Sequence, residues 1–355
     1  MPLKDRLVRM IDTDGPMPVS LFMQICLHDP QEGYYATRPG VGRDFTTAPE
    51  TSQIFGELIG LWIVNEWESM WRPHPFLLVE PGAGRATMMA DALRAMEMTS
   101  AGRACLKSMQ LHLIEPSPAL RGQQYERLLQ YTPQFVTLLD DLPDMPAILV
   151  ANEFLDCLPA RQYLRSKRDG KWHERRVGAM NGQLIWGKAT EVGVNLDNIP
   201  DDINEIEIQT GLESFALSLA AHVQRGNKLR ALAIDYGPDD LPPGDTLRAY
   251  QEGRQVDPLE HPGAADMTVD VDFTEVHRQA LKAGLSVHGP VQQGPFLLAL
   301  GAEARMQQLV QENPDKADEI YARAAKLIDP AQMGSRFKAI CISSKGLGVP
   351  AGFPG

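Results

Sequence analysis

The residues of this chain best placed to do chemistry are Glu80, Glu115, Asn152, Glu153 and Asp156. Glu80 closes the apolar run 76–79 and is followed by Pro-Gly-Ala-Gly. Gly82 and Gly84 in such a turn let the backbone bend sharply and approach a ligand without a Cβ clash. A dinucleotide phosphate pattern is not continued, because Ala86 and Thr87 stand where G-x-G-x-x-G would run on. Glu115 closes the next apolar run, 111–114. A carboxylate at that strand end can accept hydrogen bonds from both hydroxyls of a ribose. The plainer alternative has Glu115-Pro116-Ser117-Pro118 turning the chain, with Ser117 as a helix cap. Asn152 ends a fourth run and can accept from a substrate N–H. Glu153 and Asp156 are three apart and share a face if a helical turn follows. Two carboxylates can grip a guanidinium in a bidentate fork and help remove a proton when its nitrogen is alkylated. Arginine stays protonated at neutral pH, so such an acceptor needs acids of this kind. The plainer alternative pairs Asp156 with Arg161 or Arg165 on the surface.

These side chains need a scaffold that brings strand ends together. Runs 76–80, 111–115, 135–139 and 147–152 read as strands, and helical patterns at 87–96 and 118–129 separate the earlier ones. Strand–helix alternation implies a parallel sheet covered by helices, an α/β doubly wound fold that binds ligands outside its carboxyl ends. Residues 3–28 read as helical with a break at Pro16 and Pro18, and 51–71 as a further helix. Between them, 28–49 reads as a long irregular stretch, which in a compact protein is more often functional than not. Asp44, Thr46, Thr47 and Glu50 offer hydrogen bonds there, and Thr47 is assigned to the cofactor side; Thr47 or Thr51 could equally cap the next helix. Asp169-Gly170 and Asn181-Gly182 are hairpin turn pairs, so an antiparallel β-meander interrupts the α/β pattern. It carries Arg165, Lys167, Arg168, Lys171, Arg175 and Arg176, either as a docking surface or as charge that protects edge strands. Residues 208–224 and 273–283 read as helices, 238–270 as largely irregular, and 229–234, 287–291, 296–300 and 338–343 as strands. The expected division is an N-terminal helical region (1–71) over the cofactor site, a core (72–160 and 229–345), and an insert (161–228).

Composition narrows the function classes. The 355 residues carry a net charge of −12, which disfavours a non-specific grip on nucleic acid. The four cysteines form no C-x-x-C pair and the eight histidines no H-x-x-x-H pair, so neither a disulfide framework nor a metal site is expected. No G-x-S-x-G nucleophile motif occurs. No run reaches the ~18 apolar residues of a membrane span. The first residues, Met1-Pro2-Leu3-Lys4-Asp5, show neither a signal nor a transit pattern, and a cytoplasmic, bacterial-type protein is the expectation, with a mature organellar one as the alternative.

Several motifs recur in a fixed order: Gly-Tyr-Tyr at 33–35, Gly-Arg-Asp-Phe-Thr-Thr-Ala-Pro-Glu at 42–50, Glu-Pro-Gly-Ala-Gly-Arg at 80–85, Glu-Pro-Ser-Pro-Ala-Leu-Arg at 115–121, Ala-Asn-Glu-Phe-Leu-Asp-Cys-Leu-Pro at 151–159, Ile-Asp-Tyr-Gly at 234–237 and Gln-Gly-Pro-Phe-Leu-Leu at 293–298. In this order they resemble the MidA-type family, which includes the mitochondrial complex I assembly-factor methyltransferase. The resemblance runs from about residue 15 to residue 345 by motif order. It implies a class I, Rossmann-like methyltransferase that uses S-adenosylmethionine to methylate a protein arginine, with a 49-kDa-type complex I subunit as substrate. It also implies that Glu80, Gly82, Gly84 and Glu115 contact the cofactor and that Asn152, Glu153 and Asp156 face the acceptor. Two positions depart from the family pattern: Asp270, and Glu252-Gly253, stand where histidines are usual. Two alternatives stay open, methylation of another nitrogen (glutamine, a nucleobase or a small molecule) and a non-catalytic assembly chaperone. A protein partner is expected, without nucleic acid or membrane insertion, and a homodimer is one option for the oligomeric state.

Overall fold

The computed structural model describes residues 1–37, 47–190, 192–196, 199–239 and 244–355. The chain forms two compact units, each assembled from separated stretches. The larger holds Phe45–Leu155, Phe215–Gly237 and Val276–Gly355; the smaller holds Met1–Asp44, Asp156–Ser214 and Pro238–Glu275. These boundaries differ from the three-part division drawn from sequence. The helix over 53–69 belongs with the sheet, and residues 238–275 belong with the N-terminal helices and the meander.

The larger unit is built on a seven-stranded sheet. Its strands are β1 (Phe76–Pro81), β2 (Met109–Ile114), β3 (Gln134–Val136), β4 (Ala147–Asn152), β5 (Leu229–Tyr236), β6 (Ser286–Gln292) and β7 (Phe337–Ser343). They lie in the order β6-β7-β5-β4-β1-β2-β3. β1 to β5 are parallel, and β7 runs antiparallel to both β5 and β6. Every residue of β1 is buried, which is why its sequence is an unbroken apolar run up to Glu80. The chain leaves β1 toward β2 and β3 on one side and returns to β4 and β5 on the other. The reversal between β1 and β4 is where an open sheet of this kind leaves a crevice for a ligand.

Three helices bear on the site: α1 (Gln53–Ser69), α2 (Thr87–Glu97) and α3 (Pro118–Leu128). Ser52 caps α1 by accepting from the Ile54 N–H. Gly60 of α1 allows close packing on α2, since a Cβ there would lie 2.4 Å from the Ala92 carbonyl. Near the start of β5, Arg230 and Glu66 of α1 form a fully buried ion pair at 2.8 Å. Arg230 also donates to Ser343 Oγ and the Gly348 carbonyl, and Glu66 accepts from the Ala351 N–H, so the C-terminal segment is tied to the same pair. The 296–300 run is not a strand: Gln293–Ala299 is helical, with the buried Gln293 amide donating to the Leu327 carbonyl.

Among its described residues the smaller unit contains two antiparallel sheets. One joins Met17–Pro18, Ala160–Arg165, Trp172–Met180, Gln183–Ala189 and Glu205–Gln209. Glu205–Gln209 is therefore a strand, and the following helix starts only at Gly211. Asn181 and Gly182 both have positive φ (52° and 75°), as a two-residue hairpin turn requires. Asp169-Gly170 lies instead in a longer loop between the paired residues Arg165 and Trp172. The second sheet, Arg248–Gln251, Arg254–Val256 and Asp266–Thr268, gives order to a stretch expected to be irregular. Its tight turn is Glu252-Gly253, at φ 54° and 75°, which gives one of the two family departures a local backbone role. At the other, the Asp270 N–H donates to Thr246 Oγ1. Three of the six meander cations pair with acids: Arg165 with Asp201, Arg175 with Asp245 and Arg176 with Glu174. No disulfide joins the four cysteines; Cys26, Cys105 and Cys341 are buried, and Cys157 is half-buried. Burial pushes the three buried thiols up to about 12. No helix among the described residues is long and apolar enough to cross a membrane.

Candidate active site

The sheet gathers the expected polar residues of the larger unit at the carboxyl ends of β1, β2, β4 and β5. At the end of β1, Gly82 and Gly84 both adopt left-handed backbone (φ 63° and 52°), and the Gly82 N–H donates to the Ile114 carbonyl of β2. A Cβ on Gly82 would stand 3.1 Å from the Phe154 ring, so the turn is bare where the β4 loop crosses it. Glu80 is 4% exposed, and its Oε2 is buried without a hydrogen-bond partner. Burial holds its carboxyl well above the usual glutamate range.

At the end of β2, Glu115 is buried with both carboxylate oxygens engaged. Oε1 accepts from the Ser117 N–H at 2.8 Å and Oε2 from Gln124 Nε2 at 3.1 Å. Burial raises its carboxyl, while those two donors and the Arg121 charge act against the rise. Ser117 also caps α3, accepting from the Leu120 N–H, so capping and strand-end placement coexist here. Gln124, on α3, also donates to the Gly84 carbonyl at 2.9 Å. A lone glutamine inside a helix gives no sequence signal, and only the tertiary fold reveals the bridge.

At the end of β4, Asn152 Nδ2 donates to Glu153 Oε1 at 3.2 Å, leaving a buried Oδ1 without a donor. Glu153 is left-handed (φ 49°), and its N–H donates to the Ile234 carbonyl of β5. Asp235, fully buried at the end of β5, takes the Phe154 and Leu155 N–H groups on Oδ2 and the Tyr236 N–H on Oδ1. One carboxylate thus fixes the turn that aims Glu153. This turn overturns the expectation that Glu153 and Asp156 share a helical face. The positive φ at Glu153 and the capture of the next two N–H groups by Asp235 leave no helical turn there. Asp156 belongs to the smaller unit, where its carbonyl accepts from the Val269 N–H. Near it, Tyr35 OH donates to Asp266 Oδ1 at 3.0 Å; burial, with the charges of Asp266, Cys157 and Asp156, raises that phenol well above its usual range. Arg161 and Arg165, the surface partners considered for Asp156, pair with Glu174 and Asp201.

The short helix Ala48–Thr51 connects two of these places. Its Ala48 N–H donates to Glu153 Oε1 at 3.3 Å. Glu50 pairs with Arg85 at 2.6 Å and accepts from Thr87 Oγ1 at 2.6 Å, and Thr87 in turn accepts from Arg127. Thr47 occupies the N-cap position, but its side chain makes no capping bond; its carbonyl accepts from Thr51 Oγ1. Asp44 and Thr46 lie outside the described residues.

Comparison with known proteins agrees with this geometry. Residues 58–291 match a family model described as "Putative S-adenosyl-L-methionine-dependent methyltransferase". The chain is 35% identical to the mitochondrial protein arginine methyltransferase NDUFAF7 homolog of Drosophila melanogaster, covering 96% of this chain and 84% of that protein. It is 32% identical to the Caenorhabditis elegans homolog of the same name, covering 99% and 90%. A methyltransferase-like protein from Burkholderia thailandensis, solved with S-adenosyl-homocysteine bound, superposes with a TM-score of 0.83 at 25% identity over 99% of this chain and 93% of that one. The relatives correct one expectation. They are named as mitochondrial proteins, which overturns the cytoplasmic, bacterial-type assignment. That assignment rested only on not seeing a targeting pattern in the first residues.

Proposed function

The chain belongs to the S-adenosyl-L-methionine-dependent methyltransferase family, and from that premise we propose that it methylates an arginine nitrogen on a protein, a 49-kDa-type complex I subunit being the acceptor. The names of its relatives support the arginine. The residues at the strand ends fit the cofactor. Glu80 offers a buried, unpaired carboxylate oxygen that a cationic ammonium would satisfy. The left-handed Gly82 and Gly84 shape a tight turn after β1, and Glu115 offers carboxylate lone pairs to a ribose. When bound, the cofactor supplies a methyl group already activated on a positive sulfur.

The chain's own residues then have to hold the acceptor and manage its proton. Asn152 presents a carbonyl oxygen without a donor to an incoming N–H. Glu153 balances the guanidinium charge and takes the proton that the nitrogen sheds as its new bond to carbon forms. Alignment, not activation, is the main task left to the protein. One observation carries this reading: Glu153 is locked beside Asn152 at the switch point, in a left-handed turn fixed by buried Asp235. In the test, the protein is incubated with radiolabelled S-adenosylmethionine and purified complex I 49-kDa-type subunit. Glu153→Gln should lower turnover by about 100-fold or more while S-adenosylhomocysteine still binds. Full turnover in that variant, or label on a residue other than arginine, would remove the proposal.

A further inference from the structure

Gln124 lies wholly inside the larger unit and has no place in the chemistry above. Its Nε2 bridges two acceptors, the Gly84 carbonyl of the glycine turn at 2.9 Å and Glu115 Oε2 at 3.1 Å. Because both partners are acceptors, only the amide nitrogen can face them. The amide oxygen is buried without a donor, which a purely structural glutamine would normally avoid. Glu115 has a second tether, the Ser117 N–H on Oε1, and Arg121 Nε donates to the Glu115 main-chain carbonyl. Gln124 thus joins the Glu115 carboxylate itself to the glycine turn.

We infer that Gln124 is the positioning residue of the ribose acid: it locks the Glu115 carboxylate to the glycine turn, so that two strand ends meet the nucleoside as one rigid surface. This rests on the reading of Glu115 as the ribose-binding acid. Losing this tether should weaken binding by about tenfold.

The test compares binding of S-adenosylhomocysteine and its 2′-deoxy analogue by calorimetry on the full chain. Wild type should prefer the ribose form. Gln124→Met, close in volume but unable to donate, should bind S-adenosylhomocysteine about tenfold more weakly and lose most of that preference. The Gln124→Met, Glu115→Gln double variant should be little worse than Glu115→Gln alone. A packing defect would weaken both ligands equally and leave the preference intact, and that result would overturn the inference. If Gln124→Met does not fold, Gln124→Asn, which keeps the amide but shortens its reach, is read the same way. The two levels separate cleanly: an unchanged preference in Glu115→Gln removes the ribose reading itself. A collapsed preference there with an intact one in the Gln124 variants removes only this inference.

Discussion

Burial without a donor keeps the Glu80 carboxyl neutral over a wider pH span than an exposed glutamate. A ligand that brings an ammonium to it favours the ionised form, so binding should expel a proton. The sign follows from linkage: where free Glu80 is protonated, raising the pH strengthens binding. Affinity for S-adenosylhomocysteine should therefore rise with pH, and its binding heat should vary with the ionisation enthalpy of the buffer. Glu80→Gln should abolish that variation; a wild-type heat that is the same in every buffer would contradict the argument. Ligand-free stability moves the other way. The folded state holds the Glu80 proton more tightly than the unfolded chain, so this residue's contribution falls as pH rises through the interval between the two. The strand-end placement of Glu80, Glu115 and Asn152 was legible in the sequence because each closes an apolar run. Gln124 was not, since its partners are made only when α3 packs back on the glycine turn. The helical turn that would have put Glu153 and Asp156 on one face does not form, and no local pattern announces that a distant Asp235 will claim the intervening N–H groups.

Elements with a strong period and a clear break read well: β1, β2, β4, α2 and α3 all appear close to their expected limits. Short apolar runs read poorly. Residues 296–300 carry no alternation to distinguish strand from helix, and tertiary packing decided for helix. The stretch 205–209 lost its strand signal to the helical pattern that follows it. The Glu66–Arg230 pair shows how elements are joined away from the carboxyl ends of the strands, since α1, the start of β5 and the C-terminal segment converge on two buried charges. Removing one partner leaves the other buried and uncompensated, at a cost of about 3–5 kcal/mol. Glu66→Gln should thus lower the chemical-denaturation midpoint strongly. Replacing both partners with Met and Leu should cost far less than the single change. Equal midpoints for wild type and Glu66→Gln would show that the pair is not needed.

At the scale of the whole molecule, the α/β class and the inserted antiparallel sheet were legible, because alternation and hairpin turns are local signals. The partition was not. Each unit draws on three stretches of chain, and the border after Leu155 falls inside one continuous motif, between Glu153 and Asp156. Periodicity cannot report which distant stretches will cluster. The unequal burial of the four sulfurs has a practical use. Three are inside and hard to ionise, while Cys157 alone is half-buried. A maleimide dye added to native protein should therefore attach once, and intact-mass spectrometry should find a single adduct that becomes four in denaturant. The fluorophore would sit four positions past Glu153 in the chain, turning an accident of packing into a built-in optical reporter for titrating donor and acceptor.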